Sequence, residues 1–240
     1  MSTFRFKKFD VINERSPMKV NTDGVLLGAW AGVRREDARV LDAGTGTGVI
    51  ALMAAQRLEE QGSQAHVTGI DIDSASAEEA AANFAASPWA DRLQSECIAL
   101  QDFRSCEDWD LIVSNPPFFD NSLQAPDSRR NVSRHTGVGG SLSYRDLCAF
   151  ASERLASGGR LAMVLPADQE RIVLRTAASF GLYPARITRV RTTPSKCPAR
   201  MLLELTQARG SIEETCLTIQ DGGTYTSDYL ALTREFYLFA

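Results

Sequence analysis

At 240 residues and 26.3 kDa, with 44% hydrophobic and 23% charged residues, the chain has the size and composition of one globular domain, not of a disordered, collagen-like or coiled-coil protein. No run approaches the roughly 18–20 apolar residues that cross a bilayer, and the polar start MSTFRFKKFD lacks a signal-peptide core, so a single cytoplasmic domain over 1–240 is expected. The five scattered cysteines (Cys97, Cys106, Cys148, Cys197, Cys216) form no C-x-x-C pair, which predicts neither a disulfide framework nor a metal site.

Residues 1–38 read as an N-terminal extension in which Thr22 or Asp23 is placed to cap a helix through V-L-L-G-A-W. From residue 39, short apolar runs alternate with alanine-rich stretches, the pattern of βαβ units around a mostly parallel sheet. Strands are predicted at 40–42, 67–71, 93–98, 111–114 and 161–165, and helices at 49–57, 75–86, 144–155 and 169–180. Gly158 and Gly159 are expected to stop the helix before the fifth strand. Two more strands, 185–191 and 201–206, are joined by the basic loop 192–200 and should close the sheet as an antiparallel hairpin. A seven-stranded, doubly wound α/β sheet ending in such a hairpin resembles the Rossmann-like class I methyltransferase fold.

Charge is unevenly distributed around the net value of -4. Residues 57–110 hold twelve acids, Glu79 and Asp102 among them, against three arginines, and are expected to face away from any phosphate. Arg186, Arg189, Arg191, Lys196 and Arg200 occupy an acid-free stretch, Arg129, Arg130 and Arg134 form a second cluster, and the first nineteen residues add five cations against two acids. The pattern predicts a basic face on an acidic body; solvated loops that happen to be basic are the alternative.

The first predicted strand runs into D-A-G-T-G-T-G, Asp42 to Gly48, and then directly into a helix. Gly44, Gly46 and Gly48 allow a tight turn and close backbone approach to a ligand at the carboxyl end of the sheet. The spacing is G-x-G-x-G rather than the G-x-G-x-x-G of a dinucleotide loop. Preceded by an acid, it resembles the S-adenosylmethionine loop, where Asp42 would meet the ligand's ammonium group directly or through water. Asp71, 23 residues after Gly48, ends the second strand where an acid can accept both ribose hydroxyls. After the third strand, where an acid often contacts the adenine amino group, Ala99 stands in the chain, and the contact passes to Asp102 or to a backbone group.

The fourth predicted strand ends in S-N-P-P-F, Ser114 to Phe118. An exocyclic amide or aniline-type nitrogen attacks poorly because its lone pair is delocalised. Acceptors on both N–H bonds turn that lone pair toward an incoming methyl. The Asn115 side-chain oxygen and the Pro116 carbonyl, held by the fixed φ of Pro116 and Pro117, supply such a pair, and Phe118 can stack on a planar base. Without these neighbours, the same residues would read as a Pro-Pro turn with a capping Asn and a core Phe.

N-P-P-F, the loop at 42–48, M-K-V-N-T-D-G-V-L-L-G-A-W at 18–30, S-P-W at 87–89 and the ending Y-L-A-L-T-R-E-F-Y-L-F together resemble the bacterial tRNA1(Val) (adenine-37-N6)-methyltransferase family over nearly the whole chain. The resemblance implies S-adenosyl-L-methionine as cofactor and the N6 of adenine 37 of a valine tRNA as acceptor. It also implies that Lys19, Thr22 and Asp23 lie over the cofactor's methionine end, that residues 1–38 cover the cofactor site, and that the two arginine-rich clusters hold tRNA phosphates. Neither metal nor membrane is implied, and a monomer is expected. Phe118 stands where the family often has tyrosine. Guanine-N2 methylation of ribosomal RNA and glutamine methylation of a release factor remain alternatives, because those nitrogens pose the same lone-pair problem; a nicotinamide oxidoreductase or a noncatalytic RNA-binding module would leave N-P-P-F without purpose. The stripe Tyr229, Phe236, Tyr237 and Phe239 is expected to pack rather than to stack on bases.

Overall fold

A computed structural model describes residues 2–104, 107–117 and 142–239. Eight strands form the main sheet. They are β3 (Arg39–Ala43), β4 (His66–Asp71), β5 (Leu93–Cys97), β6 (Trp109–Ser114), β7 (Leu155–Pro166), β8 (Tyr183–Arg191), β9 (Arg200–Thr206) and β10 (Glu213–Thr218), in the spatial order β10-β8-β9-β7-β6-β3-β4-β5. Only β9 runs against its neighbours, pairing antiparallel with both β7 and β8. A short hairpin, β1 (Thr3–Arg5) with β2 (Asp10–Ile12), precedes the sheet, and a second, β11 (Gln220–Asp221) with β12 (Thr224–Tyr225), follows it.

The central strands are apolar without alternation because both faces are covered. Leu111, Ile112 and Val113 are all fully buried; the first and third join the core beneath α1 (Thr22–Trp30), α2 (Val49–Glu60), α3 (Ser74–Ala85) and α6 (Ser227–Thr233). Ile112 joins the core beneath α4 (Tyr144–Arg154) and α5 (Glu170–Ser179) on the other face. Strand order reverses between β3 and β6, and a doubly wound sheet opens its ligand crevice at the carboxyl ends flanking such a reversal.

All seven expected strands are present, and the structure adds an eighth. β10 pairs in parallel with β8, from Glu213 opposite Arg186 to Thr218 opposite Arg191. It is an edge strand with only Leu217 buried, so E-E-T-C-L-T carries little apolar signal. Gly158 and Gly159 do not stop a helix as expected. α4 ends at Arg154 and β7 begins at Leu155; the two glycines form an irregularity in β7 where the pairing with β6 shifts register. Gly158 has φ +78°, and a Cβ on Gly159 would lie 2.8 Å from the Trp109 carbonyl oxygen. The α1 cap is also corrected: Asn21, not Thr22 or Asp23, accepts the Gly24 N–H at 2.9 Å.

The aromatic stripe packs. Tyr229, Phe236 and Tyr237 are buried, while the exposed Phe239 stacks on Tyr225 and Tyr237 at ring separations of 5.2 and 4.7 Å. Among the described residues, no helix is long and apolar enough to cross a membrane.

Candidate active site

Beside the reversal of strand order, a cavity of about 210 Å³ opens at the carboxyl ends of β3, β4 and β6. Its floor is the glycine loop, with Gly44 and Gly46 in the wall. Gly48 makes that loop possible: its φ is +81°, and a Cβ there would lie 2.5 Å from the Phe84 ring. Asp71 lines the cavity; its Oδ2 accepts the Gly46 N–H at 2.9 Å and its Oδ1 the Asp73 N–H at 2.9 Å. Burial holds the Asp71 carboxyl above its ordinary range, against the pull of those backbone donors. Residues 98–101 form the wall beyond β5.

β6 delivers Asn115 and Pro117 to the same cavity. The Ser114 hydroxyl donates to the Ala43 carbonyl at 2.7 Å, tying the end of β6 to the end of β3. Asn115 is 7% exposed, its Nδ2 lies 3.8 Å from the Met18 sulfur, and its Oδ1 is buried without a hydrogen-bond partner among the described residues. A buried, unpaired carbonyl oxygen is costly unless an N–H donor meets it, and here it belongs to a side chain that lines the cavity.

Several expected site residues lie elsewhere. Asp42 is fully buried under the loop, accepting from the Thr45 hydroxyl at 2.8 Å and the Ala51 N–H at 3.2 Å; it shapes the loop and is not part of the cavity wall. Asp102 is exposed in a larger cleft, of about 950 Å³, at the amino ends of the strands and does not line the cavity, whereas Ala99, Leu100 and Gln101 do. Lys19 donates to the Glu14 carbonyl at 2.7 Å, and Thr22 and Asp23 line a separate cleft of about 340 Å³, where Asp23 pairs with Arg200 at 2.8 Å. The extension instead contributes Ser16, Pro17 and Met18 to the cavity; Met18 opens the M-K-V-N-T-D-G motif, whereas Ser16 and Pro17 lie outside every motif of the sequence.

The basic stretch also divides. Arg186 lies at the amino-end half of the sheet, over the Trp30 ring at 3.8 Å and donating to the Trp30 carbonyl at 2.6 Å, so it belongs to the packed body. Arg189 is held by Glu170 at 2.6 Å and Glu214 at 2.8 Å. Arg191, Lys196 and Arg200 flank or occupy the loop after β8, on the same edge of the sheet as Asn115. Phe118, Arg129, Arg130 and Arg134 lie outside the described residues. Among the described residues, no group of three or more His, Cys, Asp or Glu side chains could hold a metal.

Desolvation raises the Asp42 carboxyl from its ordinary 3.8 to about 7. Between those values the folded state keeps a proton that the unfolded chain has released, so this group's contribution to stability falls as pH rises through that window. Asp42→Asn keeps the acceptor for Thr45 and Ala51 and removes the titration. It should therefore stabilise the protein more at pH 8 than at pH 5, by up to about 3 kcal/mol at ~1.4 kcal/mol per pKa unit. Denaturant melts at the two pH values check this, and equal shifts at both would contradict it.

A doubly wound sheet with its crevice at the strand reversal, a glycine loop, an acid at the end of β4 and an Asn-Pro-Pro hook define a methyltransferase architecture. The model of the methyltransferase small domain family matches residues 26–174. A Bacteroides fragilis protein named tRNA1(Val) (adenine(37)-N6)-methyltransferase is 43% identical over 98% of this chain and 97% of its own. A Pseudoalteromonas translucida protein of the same name is 36% identical over 99% of each chain. The chain belongs to the methyltransferase small domain family and, within it, to the family of these relatives. Among solved structures, a predicted O-methyltransferase from Agrobacterium tumefaciens shares the fold, with a TM-score of 0.65 at 21% identity over 89% of this chain and 96% of that one.

Proposed function

We propose that the protein transfers the methyl group of S-adenosyl-L-methionine to the exocyclic N6 of adenine 37 in tRNA1(Val). The observation that carries this reading is the Asn115 carbonyl oxygen, buried and without a partner among the described residues, in the wall of the cavity that the glycine loop and Asp71 also line. Asp71 would hold the ribose hydroxyls, Gly44 and Gly46 would lie against the cofactor, and the apolar residues 98–100 would face its adenine. When bound, the cofactor supplies an electrophilic methyl on a sulfonium. Asn115 Oδ1 and the Pro116 carbonyl accept the two N–H bonds of the target amine, so its lone pair faces the cavity, and Pro116 and Pro117 hold the geometry. No strong base is required before attack, because the nitrogen becomes acidic only once it is cationic; the residues act by alignment and electrostatics. Phe118 would stack on the adenine, turned out of the anticodon loop.

The whole chain acts as one domain and as a monomer in the cytoplasm, and of residues 1–38 it is Ser16, Pro17 and Met18 that reach the cofactor site. Full-length agreement with relatives named for adenine-37 methylation favours this target over ribosomal guanine or a release-factor glutamine. Labelled methyl from S-adenosylmethionine should enter unmodified tRNA1(Val) and fail to enter a transcript with guanine at position 37; equal labelling of the two would reject the assignment.

Arg191 and Lys196, with Arg129, Arg130 and Arg134, are the phosphate contacts of this reading. Arg186 and Arg189 are withdrawn from the interface because their charges are engaged within the fold. Replacing both Arg191 and Lys196 with Gln should make the logarithmic salt dependence of tRNA binding shallower by roughly 1.5, at about 0.7–0.9 per phosphate contact. An unchanged slope removes this loop from the interface.

A further inference from the structure

Helix α3 turns a polar stripe inward. Ser76, Glu79 and Asn83, spaced three and four residues apart, share one face and are 2%, 2% and 1% exposed. That face meets the segment 12–20 rather than solvent. The Glu79 carboxylate accepts three successive backbone N–H groups: Glu14 at 2.8 Å and Arg15 at 2.6 Å on one oxygen, and Ser16 at 3.2 Å on the other. Asn83 accepts the Ile12 N–H at 2.7 Å and donates to the Ile12 carbonyl at 3.0 Å and to the Thr47 carbonyl of the glycine loop at 2.8 Å. The Ser76 hydroxyl donates to Ser16 Oγ at 3.0 Å, and Ser16 Oγ donates to the Met18 carbonyl at 3.2 Å.

Backbone donors on a carboxylate make charge-assisted hydrogen bonds, roughly twice as strong as neutral ones, and successive N–H groups form a ready anion nest. A buried carboxylate needs such donors to stay in place. The other side of this fastened segment is the cavity wall: Ser16, Pro17 and Met18 line it, and the Met18 sulfur rests against the Asn115 amide. We propose that Glu79 is a positioning residue for methyl transfer, setting through three amides the strap 13–20 and thereby the cavity wall and the place of Met18 at Asn115. This rests on the reading that the cavity holds S-adenosylmethionine.

In Glu79→Gln an amide nitrogen replaces one acceptor oxygen facing the strap's donors. Calorimetry with S-adenosylmethionine should show Kd raised about tenfold or more, and kinetics should show KM for the cofactor rising more than kcat falls. A variant that is only less stable, assayed well below its Tm, would keep Kd and KM. Hydrogen exchange of the amides of residues 14–16 should speed up in the same variant. Met18→Ala supplies the second arm: if Glu79 acts through the strap, the double variant's Kd matches that of Glu79→Gln alone, whereas multiplied effects overturn the proposal. Should Glu79→Gln fail to fold, the wild type and Met18→Ala still decide, since Met18 is 40% exposed. S-adenosylmethionine must slow exchange at residues 14–16 of the wild type, and slow it less in Met18→Ala; exchange indifferent to the cofactor overturns the proposal. A wild-type protein that does not bind S-adenosylmethionine at all defeats the functional reading; one that binds it with Kd unchanged by Glu79→Gln defeats only this inference.

Discussion

Asn115→Ala is expected to lower kcat by about 10²–10³ while changing the Kd for S-adenosylmethionine less than about threefold, the range seen when one preorganised polar group at a reacting centre is removed. Asn115 lines the cavity through a side chain whose oxygen has no hydrogen-bond partner among the described residues. Among the described residues its side chain hydrogen-bonds to the Met18 thioether alone, so its removal leaves no buried backbone donor or acceptor there without a partner. The loss therefore falls on alignment of the acceptor amine. Single-turnover kinetics with saturating cofactor and tRNA, together with calorimetry for the cofactor, separate the two effects; a turnover close to wild type would refute the hook.

Asp71→Ala should divide its effects the other way. Each hydrogen bond to a charged group contributes about 1.5–3 kcal/mol, so losing two ribose contacts should raise the cofactor Kd by about 10² or more while kcat at saturation stays within about tenfold. The same carboxylate also holds Gly46 and Asp73, so Ala loosens the glycine loop as well. Asp71→Asn keeps one oxygen acceptor and should lie between wild type and Ala. A Kd indifferent to both variants would place the ribose elsewhere.

That the glycine loop and the Asn-Pro-Pro segment meet at one cavity was legible in the sequence because each is a short contiguous run at the end of an apolar strand, where local geometry and chemistry coincide. What escaped was set by partners far away in the chain. Glu79 counts as one more acid in a negative stretch until the fold brings the backbone of residues 14–16 to it. Arg186 and Arg189 read as phosphate ligands until Trp30, Glu170 and Glu214 are placed beside them. Asp23 reads as a cofactor contact until it meets Arg200, 177 residues later. Asp102 follows β5 as a cofactor acid would, but the chain turns within residues 99–103 and leaves its side chain exposed in the cleft at the amino ends of the strands. The strand β10 was missed because an edge strand in contact with water has no need of apolar residues on both faces.

The sharpest test is the chemical identity of the product. Unmodified tRNA1(Val) is incubated with the enzyme and S-adenosylmethionine, digested to nucleosides and analysed by mass spectrometry against standards. A hook that grips an exocyclic amine predicts N6-methyladenosine, confined to the fragment containing position 37. Methyl on a ring nitrogen or ring carbon of that adenine, or on any guanine, would contradict it.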